Sequence, residues 1–145
     1  VNDGNATFRI RRLTSSTVSV TRLDTGSGAA PVLTESYESA EQTITSAALL
    51  TLGHGLSSEP ILFSPYLICK VAEQGYSVGH KLLINYATNQ AGSTDGLGVS
   101  ILPDATDIYV RYWDNAFVFA SANRSTGGPI NLINSNWRLV MRAFA

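Results

Sequence analysis

The stretch from Ile44 to Ile84 constrains the fold more than any other part of the chain. It reads as three apolar, strand-like runs joined by two polar turns, Gly53-His54-Gly55-Leu56-Ser57-Ser58-Glu59 and Glu73-Gln74-Gly75-Tyr76-Ser77-Val78-Gly79. Such turns hold glycines that take positive φ without steric cost and short polar side chains that bond nearby backbone, as reversals between strands require. No stretch sustains helical periodicity for long. Tyr37 to Ala48 has the composition for a helical turn, but Thr43-Ile44-Thr45 favours strand through β-branching.

Two strand-like runs open the chain. Thr7 to Arg11 alternates with Phe8 and Ile10 on one face, and Thr17 to Leu23 places Val18, Val20 and Arg22 together. With a turn at Thr14-Ser15-Ser16 these runs predict a hairpin, and Asp24 to Pro31 then breaks the pattern with small residues, as a linker does. Residues 1–35 are thus expected to form a hairpin and linker arm, and residues 36–145 the main domain. The further strand candidates are Gln42 to Leu52, Ile61 to Val71, Lys81 to Tyr86, Gly98 to Leu102, Asp107 to Trp113, Phe117 to Ser121 and Trp137 to Phe144. Between them lie Asn89 to Gly96, Pro103-Asp104-Ala105, Asp114-Asn115 and Arg124 to Pro129, all rich in turn formers. Short strands with this punctuation predict an all-β fold, an antiparallel β-sandwich. Asp114-Asn115, between two aromatic runs, predicts a tight hairpin because both residues tolerate the left-handed conformation.

At 145 residues and 44% hydrophobic, the chain has enough apolar material for one core. Only 14% of residues are charged, against roughly 25% in an average soluble domain. Such a surface suits virion and secreted β-proteins and close packing against identical copies. The net charge of −1 gives no electrostatic reason to expect nucleic acid or anionic membrane as a partner. No apolar run approaches the ~20 residues of a membrane-spanning helix, and the first residues do not read as a signal peptide. The single cysteine, Cys69, lies in an apolar run and reads as a small core hydrophobe. The single methionine is Met141, so Val1 is not an initiator, and a longer or processed precursor is expected.

The chemistry-bearing residues are sparse. His54 and His80 each sit at a glycine turn, with no second His or Cys at ligand spacing; His54 is expected to pin its turn through a backbone carbonyl. Asp104-Ala105-Thr106-Asp107 follows Pro103 and predicts Asx-type turn bonds; its spacing lacks the alternate ligands and closing glutamate of a calcium loop. Ser is abundant, but there is no Gly-x-Ser-x-Gly elbow, and neither histidine comes with an evident acid partner. No enzyme, metal or cofactor is expected. In the aromatic run Tyr109 to Phe119, alternation puts Tyr109, Arg111 and Trp113 on one face and Ile108, Val110 and Tyr112 on the other. A Trp beside Asp and Asn suits a sugar: the ring stacks on C–H groups while the polar chains orient hydroxyls. The candidate receptor- or glycan-binding residues are therefore Arg111, Trp113, Asp114 and Asn115, helped by Asn123 and Arg124. The competing reading buries Trp113 in the core or a subunit interface. At the end of the chain, Trp137 to Phe144 reads as a terminal strand with Arg138 and Arg142 opposite Trp137, Leu139 and Met141.

Three segments, Leu50-Thr51-Leu52-Gly53-His54-Gly55-Leu56, Ala72 to Gly79 and Ile130 to Leu139, together with Pro60, Cys69 and Lys70, resemble the C-terminal domains of tail-fibre and spike attachment proteins of tailed bacteriophages and prophages. The likeness covers about Ser39 to Phe144 and rests on turn and core residues. It implies a virion structural protein, a homotrimeric tip domain that contacts a host-surface glycan or protein. Other virion tail or head proteins are then expected to meet the N-terminal arm, with the protein on the virion exterior and acting outside the cell. No shaft repeat precedes the domain, so a small head or tail decoration protein is the alternative within that setting. A free-standing carbohydrate-binding lectin is the alternative outside it. The strand count also resembles the trimeric H-type lectin sandwich, as an alternative to a jelly roll. Subunit contacts are expected at Phe8, Ile10 and part of the Tyr109 to Trp113 strand, since short strand edges and few charges need covering.

Overall fold

The computed structural model describes residues 8–12, 18–22, 33–84, 87–88 and 97–145. The chain divides into two compact units, Val1–Val32 and Leu33–Ala145. In the first, β1 (Phe8–Arg12) pairs antiparallel with β2 (Val18–Arg22), with Phe8 facing Arg22, Ile10 facing Val20 and Arg12 facing Val18. The expected hairpin forms. Its turn at Thr14-Ser15-Ser16 and the linker from Asp24 to Pro31 lie outside the described residues.

The second unit holds β3 (Ser36–Glu38), β4 (Gln42–Thr43), β5 (Leu49–Gly53), β6 (Leu62–Phe63), β7 (Tyr66–Cys69) and β8 (Lys81–Leu83). There follow β9 (Ala87–Thr88), β10 (Leu97–Pro103), β11 (Asp107–Tyr112), β12 (Ala120–Ala122), β13 (Pro129–Asn131), a 3-10 turn at Asn134–Asn136, β14 (Trp137–Val140) and β15 (Arg142–Phe144). The pairings are antiparallel, and no α-helix occurs among the described residues, as an all-β fold requires. One sheet runs β5–β11–β10–β9. Another runs β4–β14–β7–β8 and continues past a set of breaks as β3–β15–β6, while β12 and β13 form a separate hairpin.

The breaks have local causes. Glu38 faces Arg142 and Gln42 faces Leu139, so Ser39, Ala40 and Glu41 stand against only Val140 and Met141. That extra residue is a β-bulge. Buried Ser39 repairs it: its N–H donates to Met141 O at 2.9 Å, and its Oγ accepts the Met141 N–H at 3.0 Å. On the other side, Ala143 opposite Phe63 and Val140 opposite Tyr66 share one register, and the Ser64 N–H donates to Arg142 O at 2.9 Å. Pro65 then limits β8. The Ile84 N–H reaches Pro65 O at 3.4 Å, but proline has no N–H to return.

Several expected strands are corrected. Gln42 to Leu52 is not one strand but β4 and β5, which lie in different sheets. Between them Ala47 adopts φ 58, donates its N–H to Trp113 O at 3.2 Å, and accepts the Arg111 guanidinium on its own carbonyl at 3.0 Å. β-branching at Thr43-Ile44-Thr45 carries no signal for that turn. Ile61 to Val71 is likewise split into β6 and β7, and Trp137 to Phe144 into β14 and β15. The tight hairpin expected at Asp114-Asn115 does not form. β11 takes β5 and β10 as neighbours, and of the run Phe117 to Ser121 only Ala120 and Ser121 fall in a strand, β12, which pairs with β13. Residues 116–119 instead follow an irregular path held by the Val118 N–H on Asn134 Oδ1 at 2.9 Å and by Val118 O on the Gly98 N–H at 2.6 Å. β3, β9 and β13 fall outside every expected strand.

One cluster of buried residues draws on both large sheets. Leu67, Cys69, Trp137, Leu139 and Ala143 come from one; Leu52, Val99, Ile108, Val110 and Tyr112 come from the other; Val118, Phe119 and Leu132 enter from the connections. The alternation read along β11 holds: Ile108, Val110 and Tyr112 are buried while Arg111 is exposed. Burying a large apolar side chain is worth roughly 1.5–3 kcal/mol, so this face stabilises the unit more than any surface contact.

Candidate functional site

Trp113 follows β11 and is half-buried. Its N–H donates to Gly98 O at 3.3 Å, and its carbonyl accepts the Ala47 N–H at 3.2 Å and Ser46 Oγ at 3.4 Å. Arg111 is exposed and reaches back to Ala47 O. Asp114 is exposed, and half-buried Asn115 uses its Oδ1 to accept the Phe117 N–H at 3.1 Å, an Asx turn rather than a hairpin. These four residues thus stand together at one end of the β5–β11–β10 ladder. Backbone bonds fix that end, while the Trp113 ring remains partly open to solvent.

Asn123 and Arg124 belong elsewhere. They lie at the tip of the β12–β13 hairpin, where Asn123 Oδ1 accepts the N–H groups of Ser125 and Thr126 at 2.9 and 3.0 Å. Asn123 Nδ2 donates to Gln74 Oε1 at 2.9 Å, the Arg124 N–H donates to Gln74 O at 3.1 Å, and the Arg124 guanidinium reaches Gly75 O at 3.4 Å. Among the described residues no hydrogen bond joins this pair to residues 111–115. The six candidates form two groups, not one.

The turn that receives Asn123 and Arg124 organises a larger junction. Glu73 and Tyr76 exchange backbone bonds at 3.2 and 2.8 Å around Gln74 at φ 53 and Gly75 at φ 82. Positive φ at both central residues makes this a type I′ reversal. The Glu73 carboxylate accepts the Ile133 N–H at 3.2 Å, Asn136 Nδ2 at 2.9 Å and the Trp137 indole N–H. Tyr76 meets Trp137 edge-on, with centroids 5.3 Å apart and planes at 78°, and its hydroxyl donates to Ala122 O at 2.8 Å. A Cβ at Gly75 would stand 2.4 Å from Ser125 Oγ and 3.1 Å from Ser125 N on a backbone at φ 82, so a side chain here is strained. Three segments distant in sequence are locked here. The spacing of Glu73 from Trp137 gave no hint of the contact.

The remaining polar residues do what turns require. His54 is buried, and its Nδ1 accepts the Leu56 N–H at 3.0 Å, which leaves the ring proton on Nε2 to donate to Asp104 O at 3.1 Å. It pins its turn, as expected. His80 Nδ1 accepts the Ser77 N–H at 3.1 Å and closes the turn in which Gly79 has φ 87. Asp104 Oδ1 accepts the N–H groups of Thr106 and Asp107 at 2.8 and 2.7 Å, the Asx geometry read from the sequence. Those two bonds are the main reason its carboxyl is held down to about 2. The Tyr109 hydroxyl is raised, first by the charge of Asp104 and then by its hydrogen bond to it. Burial, followed by the charge of Glu73, pushes the Cys69 thiol up, and its Sγ donates to Val71 O at 3.1 Å. A raised thiol in an apolar setting is a poor nucleophile. Among the described residues, no group of three or more His, Cys, Asp or Glu could hold a metal ion.

Two surface features escaped the sequence reading. On the outer face of β5, β11 and β10, Tyr109 stands between Thr51 and Leu102, with Leu49 beside Arg111 in the next row. Leu49 is 51% and Leu102 67% exposed, so this face presents two leucines to solvent. The alternation that placed Arg111 outward could have revealed both, had it been carried across to the neighbouring strands. The second feature is a pocket of about 270 Å³ beside Leu82, Ile84, Gly98 and Phe119, whose lining is apolar but for the Ser121 hydroxyl and backbone.

Compared with models of known protein families, the chain matches none, and no curated protein matches it.

Proposed function

We propose that the chain is a structural protein of a tailed-phage virion, the tip domain of a tail fibre or spike that attaches to the host surface. The reading starts from the resemblance carried by residues 50–56, 72–79 and 130–139. The observation that supports it most is the junction at Glu73. The second and third of these segments, linked by a bond between residues 64 positions apart, pack as one unit through Glu73, Tyr76 and Trp137. Two of the three segments, far apart along the chain, are therefore one piece of structure. The two large sheets sharing a single core support the finer description of a β-sandwich of jelly-roll or H-type-lectin kind. The proposed assembly is a homotrimer on the virion exterior, with Phe8, Ile10 and part of the Tyr109 to Trp113 strand at or near subunit contacts and the N-terminal arm meeting other virion proteins. Its role is binding, without catalysis.

The receptor surface in this reading is the end of the ladder around Trp113, with Arg111, Asp114 and Asn115 to orient a glycan's hydroxyls. Asn123 and Arg124 are occupied in holding the Gln74 turn and drop to a supporting role. Trp113→Ala is expected to weaken binding of the purified chain to susceptible cells roughly tenfold, the scale of one lost aromatic contact of about 1.4 kcal/mol. Melting temperature and subunit number should stay as in the unmodified protein. Unchanged cell binding by a folded Trp113→Ala protein would remove this surface from consideration, and unfolding would show the ring to be structural. Light scattering should give a chain number divisible by three.

A further inference from the structure

Among the described residues, β5 is an open edge of its sheet. The bonds from the His54 N–H to Thr106 O and from the Tyr112 N–H to Ala48 O set the phase of the β5–β11 ladder. Leu50 and Leu52 are then the residues bonded to β11, and the N–H and C=O groups of Leu49, Thr51 and Gly53 turn toward the open side. All three of those residues are exposed. Proteins normally guard such an edge with charge, proline, bulges or shortness. The other edges of the two large sheets are guarded: β3 carries Glu38 in an ion pair with Arg142 at 3.1 Å, β8 carries Lys81, and β4, β6 and β9 span two residues each. β5 reads Leu-Leu-Thr-Leu-Gly and has none of these devices.

We infer that β5 pairs with β5 of a second copy of this chain, antiparallel, about a two-fold axis through Thr51. The outward-facing groups are centred on Thr51, so this register leaves none over. Thr51 faces its own counterpart, Leu49 faces Gly53 of the second copy, and each facing pair exchanges two hydrogen bonds. The side chains agree with that register. Leu49, half exposed, lies against a residue with no side chain, while Leu50 and Leu52 meet across the inner face and extend the core. Charge agrees as well. Arg111 lies in the row of Leu49 and Asp107 in the row of Gly53, on the same outer face. The two-fold axis gives each of these rows Arg111 from one copy and Asp107 from the other, three strand spacings or about 14 Å apart, so each row ends in opposite charges and no like charges face each other. An unrelated extended peptide could use the same backbone groups, but it would bring no second inner face to continue the Leu50 and Leu52 packing.

This contact is independent of the attachment reading. Alone it makes a dimer, and combined with a trimer it makes six chains. Light scattering of the full chain at micromolar concentration is therefore expected to give an even number of copies. A monomer or an isolated trimer would overturn the contact, and an isolated trimer would leave the trimeric reading standing. Thr51→Lys and Thr51→Pro should each weaken the association at least tenfold with an unchanged circular dichroism spectrum, because proline is tolerated at an edge whose N–H faces outward. Retention of the full assembly by both folded variants would also overturn it. Thr51→Cys tests the register, since facing residues stand about 5.5 Å apart between Cα atoms, within disulfide reach. Thr51→Cys should oxidise to a linked pair and Leu49→Cys should not, with the native Cys69 buried and out of the way. Cross-linking at Leu49→Cys as readily as at Thr51→Cys, or at neither, rules the pairing out.

Discussion

Trp137→Ala is expected to destabilise the main unit by about 3–5 kcal/mol, the usual cost of truncating a buried tryptophan. For a unit of this size that is a fall in melting temperature of roughly 10–20 °C. Trp137 is fully buried at the start of β14, opposite Cys69, with Tyr76 edge-on and its indole N–H on Glu73. The cavity left behind could not collapse easily, because backbone ladders pin the wall on the Cys69 side and the Glu73 turn pins the other. Trp137→Phe keeps an aromatic contact and should cost clearly less. Thermal unfolding followed by circular dichroism measures both, and an alanine variant within about 1 kcal/mol of the parent would contradict the packing described.

Glu73→Ala is the second large effect. Its carboxylate serves three donors, of which the Trp137 indole N–H is fully enclosed. An enclosed donor left without a partner costs about 1–3 kcal/mol, and the freed Ile133 and Asn136 groups let the 3-10 turn before β14 drift. Glu73→Gln retains an acceptor oxygen and should recover part of the loss. Because Glu73 and Trp137 are in direct contact, the double variant Glu73→Ala, Trp137→Phe should be less destabilised than the sum of the single changes, by about 0.5–3 kcal/mol. Strict additivity would show that the bond adds nothing.

The parts of this fold legible in the sequence are those whose cause is local. Alternation along β11 sorted Ile108, Val110 and Tyr112 from Arg111, the glycine turns took the positive φ values they are suited to, and His54 and Asp104 bonded their own turns. What escaped depends on partners far away. Nothing near Ala47 signals the positive φ that moves the chain between sheets; it follows from bonds to Trp113 and Arg111. The Ser39 bulge appears only once Met141 stands opposite. The aromatic run after β11 suggests a hairpin at Asp114-Asn115, but β11 takes β5 and β10 as its neighbours, and Val118 and Phe119 are drawn into the core instead. The candidate site suffered in the same way. Asn123 and Arg124 are close to Trp113 along the chain, but their polar groups are taken by Gln74 and Gly75. The role of Glu73, the residue with the most consequential bonds, was invisible because its three donors lie some sixty residues on.

The attachment reading is tested most directly by adsorption. Under that reading the gene belongs to a phage; cells susceptible to that phage are incubated with the purified full chain and then challenged with the phage. Saturable binding of the protein, together with a dose-dependent fall in phage adsorption, is the predicted result. A folded protein that neither binds the cells nor slows adsorption at concentrations far above those of the virion would contradict it.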